Sequence, residues 1–264
     1  MDDTYWHKQT NGQPLFRDII WNKPEQRALA GKLTIIGGNA HGFRDVFQAA
    51  TASQKAGIGT QRILVPDILK RTLAKLWPEV EYASSTKSGG FATRALPNWL
   101  ELANWSDGVI LAGDLGRNSE TEMLLERFLE EYHAVLTLAG DSVVLIQNTP
   151  QAAMANAQIL ITADLPRLQH LLTAVRYPTA IRLDMPLTQL VELLHGFSFA
   201  YPLSLITQQD NQIILARGGQ VSTTPAKSIT LLQAAAAATV WRLQQPHHDF
   251  AAMTSAIFTL NEAT

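Results

Sequence analysis

Apolar residues along this chain come in short runs, each followed by a glycine-containing loop and then by a helix-spaced stripe. Residues 33–36 form such a run, ending at Gly37-Gly38, the pattern of a strand buried in a parallel sheet. Phe43, Val46, Phe47 and Ala50 then repeat at helical spacing up to Lys55, and Gly57 ends the stripe. Residues 62–65 are the next strand, with Pro66 as its stop and a helix over 68–76. Residues 80–83 predict a third, edge-like strand, and 96–104 a helix. The unit recurs: a strand at 108–111, a helix running to about Glu131, and a strand at 135–138. Ser119 and Glu122 fit the S-x-x-E capping box at that helix start. Residues 159–162 and 168–175 continue the alternation. After residue 200 the pattern shifts to three short strands at 203–207, 212–216 and 220–223, joined by polar turns. Helices at 228–243 and 250–260 follow. This order predicts a three-layer α/β/α fold with a mostly parallel sheet and an antiparallel edge. Residues 1–30 lack periodicity and read as an N-terminal arm; 31–264 read as one domain.

Composition narrows the function classes. At 264 residues, 46% apolar and 17% charged, the chain has material for one large core. A net charge of −2 gives no electrostatic case for nucleic acid or an anionic membrane as partner. No cysteine is present, which excludes disulfides, thiolate metal sites and a cysteine nucleophile, and fits a cytoplasmic location. The opening MDDTYWHKQTNG is acidic and lacks the apolar core of a secretory signal. The longest apolar run, 231–241 around Gln233, is shorter than the roughly 20 residues a bilayer requires, and reads as a tightly packed internal helix. That helix and the aromatic arm are also where a homo-oligomer would form.

Two loops carry candidate chemistry. GGNAHG at 37–42 follows a strand and opens a helix, so Gly37, Gly38 and Asn39 are candidate phosphate contacts, or simply a tight turn. Its spacing matches neither dinucleotide nor Walker signatures. GDLGRN at 113–118 is the stronger case: Gly113 and Gly116 permit close backbone approach, Asp114 lies between them, and Arg117 adds a cation at a helix start. Asp141, just past a strand end, is placed either to orient a hydroxyl group or a metal-bound water, or to serve as a helix cap or turn former; as candidate catalytic carboxylates it comes first, then Asp114 and Asp45. The His247-His248-Asp249 cluster reads as a helix start with Asp249 as its cap, so no metal site is expected. His41 reads as a turn residue.

At these residues the chain resembles the ribokinase-like superfamily, and within it the ADP- or ATP-dependent NAD(P)H-hydrate dehydratases, lyases that repair hydrated nicotinamide cofactors. Lys23, Gly31 and LTIIGGN echo the family's lysine, glycine, strand and G-G-S pattern. KAGIGTQRILVP matches its A-G-x-G helix end, AGDLGRNSET its G-P-G-L-G-R loop, and AGDSV its D-A-D-A-L strand end. The resemblance implies an ADP or ATP ligand with Mg²⁺. The departures are as specific. The T-P-H-P-G-E segment falls on 162–167, with Arg167 where the family has glutamate. The G-T-G-D motif, whose aspartate is the family's catalytic base, is replaced by STTPAKSIT; Thr224 and Lys227 remain as phosphate donors there.

Transfer of a phosphoryl group to a hydroxyl needs a carboxylate to orient the acceptor and donors for the developing charge. Three readings follow: a divergent dehydratase using another acid, a small-molecule kinase for a carbohydrate or alcohol, or a non-catalytic ligand-binding or assembly protein.

Overall fold

The apolar runs become strands because each is short, rich in branched side chains and closed by glycine, proline or a polar turn. The computed structural model describes residues 4–226 and 228–262. Its strands are β1 (Trp6–Lys8), β2 (Lys32–Gly37), β3 (Thr60–Pro66), β4 (Glu81–Ala83), β5 (Gly108–Ala112), β6 (Val135–Ala139), β7 (Ile159–Thr162), β8 (Ser204–Gln209), β9 (Gln212–Arg217) and β10 (Gln220–Pro225). They form one sheet in the order β1-β10-β9-β8-β7-β6-β5-β2-β3-β4. Among the described strands only β9 runs against the rest. The fold is therefore the three-layer α/β/α arrangement with a mostly parallel sheet and an antiparallel border.

Helices cover both faces: α1 (Arg17–Trp21), α2 (Arg44–Lys55), α3 (Lys70–Leu73), α4 (Leu96–Trp105), α5 (Ser119–Glu131), α6 (Ser142–Leu145), α7 (Gln151–Met154), α8 (Leu165–Ala174), α9 (Leu187–Ala200), α10 (Leu231–Gln244) and α11 (Asp249–Glu262). One face packs α4, α5, α8 and α9 around a chain of aromatic contacts from Phe91 through Trp99 and Phe128 to Tyr132. The other packs α2, α10 and α11. Residues 234–238 of α10 are five alanines, all buried, because this helix touches the sheet, α2 and α11 at once and larger side chains would hold them apart. A buried hydrogen bond between the Thr137 and Thr239 hydroxyls ties it to β6. No helix among the described residues is long and apolar enough to cross a membrane.

Several local expectations change. Asn118, not Ser119, caps α5: its backbone is extended and its Oδ1 accepts the Thr121 N–H at 3.0 Å, so Ser119 is already the first helical residue. The helix expected over 68–76 breaks into a 3₁₀ turn at Asp67–Leu69 and the single turn α3. Helix α9 stands where Pro178, Pro186 and Gly196 obscure the helical spacing of Leu190, Val191, Leu194 and Phe197. Of the expected N-terminal arm, Trp6–Lys8 enters the sheet as β1, paired in parallel with β10. Asp249 opens α11, but its carboxylate turns to Arg217 and Arg242.

Candidate functional site

Strands β2, β5, β6 and β7 all end at one edge of the sheet, and α10 begins there. In an open α/β sheet the crevice outside the carboxyl ends of the strands is where ligands bind. A cavity of about 290 Å³ lies at this edge, lined by Asp45 and Gln48 of α2, Gly113, Gly140, Thr162, Asp164, Arg167 and the start of α10 at Thr230, Leu231 and Leu232.

The α10 end presents backbone N–H groups to the cavity. Thr230 caps it: its hydroxyl accepts the Gln233 N–H at 3.2 Å while the Gln233 side chain accepts the Thr230 N–H at 2.8 Å. The N–H groups of Leu231 and Leu232, the first two helical positions, have no intrahelical acceptor and remain available at the positive end of a 14-residue helix. Beside them, Thr162 is 1% exposed and its hydroxyl has no hydrogen-bond partner. Arg167 is on the same wall, its guanidinium also paired with Asp141 and Asp164. Replacing Thr230 with alanine removes the hydroxyl that accepts the Gln233 N–H, while the backbone N–H at position 230 still reaches the Gln233 side chain. The substitution is expected to lower stability by about 1 kcal/mol, read as a fall of about 2–4 °C in the unfolding midpoint; an unchanged midpoint would show the cap to be dispensable.

Most residues read from the sequence as ligand contacts are spent on the loops themselves. Gly37 is packed so closely that a Cβ there would run into the Ala112 carbonyl oxygen and lie 2.9 Å from Val46 Cγ2. Gly38 holds a left-handed φ of 83°. Asn39 is buried; its Oδ1 accepts the His41 N–H at 2.7 Å, and its Nδ2 donates to the Asp114 carbonyl at 3.3 Å, joining the two candidate loops. Asp114 Oδ1 accepts the Gly116 N–H, and Gly116 lies against Gly90. Of GDLGRN only Gly113 lines the cavity, and its missing side chain is what lets Asp45 approach. Thr224 is buried in β10 with an unpartnered hydroxyl, and Lys227 lies outside the described residues.

Asp141 is held rather than free. Arg117 Nη2 donates to its Oδ2 at 3.1 Å, while Arg167 donates to its Oδ1 and also pairs with Asp164. Partial burial pushes the Asp141 carboxyl up, but hydrogen bonds and charge from the two guanidiniums outweigh it and hold the group below the usual carboxylate range. Such a carboxylate is a weak proton acceptor near neutral pH, and its evident work is to aim Arg167. Sequence spacing points to Asp141 because it follows a strand end; it does not reveal that two cations converge on it. Arg167, visible in sequence only as a departure from a family pattern, proves to be the cation of the cleft. Thr162 and Asp164 flank it, and Asp45 reaches the same space from α2.

No protein-family model and no curated protein matches the chain. Solved structures do. A ribokinase-like superfamily protein from Enterococcus faecalis V583 superposes with a TM-score of 0.70 at 12% identity, covering 98% of this chain and 87% of that one. An ADP/ATP-dependent NAD(P)H-hydrate dehydratase from Bacillus subtilis, co-crystallized with ATP/Mg²⁺, gives 0.61 at 11% identity, covering 96% and 88%. A pyrophosphate-dependent kinase in the ribokinase family, complexed with a pyrophosphate analog and myo-inositol, gives 0.55 at 12% identity, covering 87% and 92%. With the sheet order, the antiparallel border and the helix start at the strand ends already in place, these likenesses establish that the chain has the ribokinase-like fold.

Proposed function

We propose that the protein binds the phosphate chain of an adenine nucleotide, ADP or ATP, in the cleft at the start of α10, and that its catalysis is impaired or altered relative to the hydrate dehydratases it resembles. The observation that carries this reading is the convergence of four donors on one small cavity: the free N–H groups of Leu231 and Leu232, the orphaned Thr162 hydroxyl and the Arg167 guanidinium. These residues fit a phosphate. Asp45 lines the same space and is the carboxylate available to a magnesium ion arriving with the nucleotide, which supplies charge neutralisation of the phosphates when bound, while Asp164 beside it is paired with Arg167.

The chain's own residues would bind and orient; proton transfer is where the set is thin. Asp141 is occupied by two arginines, and no acid or glycine lies in the sequence between Gln220 and Ala238. Asp45 favours a second reading, a retained dehydratase or small-molecule kinase activity, because its carboxylate lines the cleft and is in no ion pair among the described residues.

A thermal-shift titration with ADP, ATP, NADH and NADPH, each with and without magnesium, tests both. At a hundredfold excess over Kd the expected rise is about 5 °C or more with an adenine nucleotide. No rise with any of the four overturns the nucleotide reading. A rise accompanied by turnover of ATP, or by dehydration of hydrated NADH, establishes the second.

A further inference from the structure

A cavity larger than the cleft at the strand ends lies elsewhere in the described structure. It is a groove of about 690 Å³ on the outer side of the helical layer, with α10 as its floor and α2 and α11 as its walls. Gln233, Ala237 and Trp241 follow one another along the floor at four-residue spacing, which makes it roughly 12 Å long. Its volume lies within the range of small-molecule sites, and its surfaces are mostly carbon. At one end the Phe47 and Trp77 rings stack with centroids 3.7 Å apart. At the other, Lys23 Nζ stands 4.4 Å above the Trp241 ring.

The charged groups around this groove all have one sign. Lys23, Arg44 and Lys55 are on its rim; among the described residues no aspartate or glutamate lines it, and none of the three cations is in an ion pair. Arg44 and Lys55 are the first and last residues of α2, so they bracket the groove lengthwise. Lys55 and Lys23 are both at the Trp241 end of the floor. In the α11 wall, the Thr259 hydroxyl is shielded from solvent and has no hydrogen-bond partner. An apolar trough with unpaired cations at its ends is complementary to a molecule with an apolar body and an anionic head. The area hidden by the body supplies affinity, and the charge selects acids over alcohols or amines.

We propose that this groove is a second ligand site, separate from the cleft at the strand ends, and that it takes a carboxylate with an extended apolar chain, its head between Lys23 and Lys55 and its chain along α10 toward Phe47 and Trp77. Lys23 already loses some solvent against Trp241, and this burial lowers its pKa; a carboxylate head restores a partner to it. The site borders the other one through Gln48, which lines both cavities.

Binding is read by tryptophan fluorescence, since Trp77 and Trp241 both border the groove, using decanoate, decanol and decyltrimethylammonium as probes on the full chain. Decanoate is expected to bind at least about tenfold more tightly than either other probe. The double substitution K23Q/K55Q is expected to abolish that preference while leaving the response to nucleotide unchanged. Thr51→Trp, which fills the groove from an exposed wall position, is expected to weaken all three probes. Equal binding of acid and alcohol, binding indifferent to both variants, or no binding overturns the proposal. So does self-association that buries the groove, detected by sedimentation, or preferential capture of an acidic amphipathic helix over decanoate.

Discussion

Replacing Asp249 with alanine is expected to lower the stability of this protein by about 3–5 kcal/mol, a fall of roughly 6–20 °C in the unfolding midpoint. The reason is Arg242. This residue is 1% exposed within the helical layer, and among the described residues Asp249 is the carboxylate it pairs with, at 3.0 Å. Its other hydrogen bonds go to the carbonyls of Ala157 and Gln158 and to the Gln158 side chain. Burial pulls the guanidinium down to about 10, with Asp249 opposing and Arg217 adding to that effect, so it stays charged at neutral pH. Without Asp249 a buried cation remains with only neutral partners, and Arg217, which pairs with the same oxygen at 2.6 Å, adds repulsion. The exposed pair Arg182–Asp184 provides the contrast: both side chains are more than two-thirds in solvent, and Asp184→Ala is expected to leave the midpoint unchanged. Chemical denaturation of the two variants side by side measures the difference. Equal, small effects would show that the backbone carbonyls alone satisfy Arg242.

The second large effect is expected at Gly37. An alanine there places its methyl group against the Ala112 carbonyl and Val46, in the seam where β2, β5 and α2 meet. Neither neighbour is the free end of a flexible chain, so the strand or the helix must move, at about 3 kcal/mol. Because Asp45 precedes Val46 on α2 and lines the cleft, the same displacement is expected to suppress the nucleotide response. Gly42 lies in the same loop with open space around it and an ordinary φ, and Gly42→Ala should leave both stability and binding intact. Two unfolding curves and two titrations suffice. If Gly37→Ala keeps the ligand response while losing stability, Asp45 is not positioned through this seam.

What the sequence made legible follows from the range of the interactions involved. Strands ending at glycine or proline and helices with a one-sided stripe are set by neighbours a few residues apart, and β2, β3, β5, β6, β7 and the meander fall close to where their patterns put them. The loops at 37–42 and 113–118 are likewise local, which is why their glycines stand out. Their purpose was less visible: Gly37 is there for the approach of β5 and α2, and Asn39 for a bond to a loop 75 residues away. The cleft itself joins Asp45, Thr162, Arg167 and Thr230, a set with no mutual spacing to read. Arg242 was hidden for a different reason. A lone arginine at the end of an alanine-rich helix reads as a solvated helix terminus, and only the fold brings Asp249 and the carbonyls of residues 157 and 158 around it.

The three-residue strand β1 has a consequence for how the molecule is made. It pairs with β10, more than two hundred residues later in the chain, through the bonds from Val221 N–H to the Tyr5 carbonyl and from Gln9 N–H to the Thr223 carbonyl. The strand is therefore made more than two hundred residues before its docking site, and must stay unpaired until the meander has formed. Until then β10 presents a full row of backbone donors and acceptors, the kind of edge on which another chain can add. In the finished molecule a short, lysine-ended strand occupies that row. β1 thus acts as the closing clasp of the sheet, fastened last, and a protein in which it is unpaired would be prone to associate edge to edge.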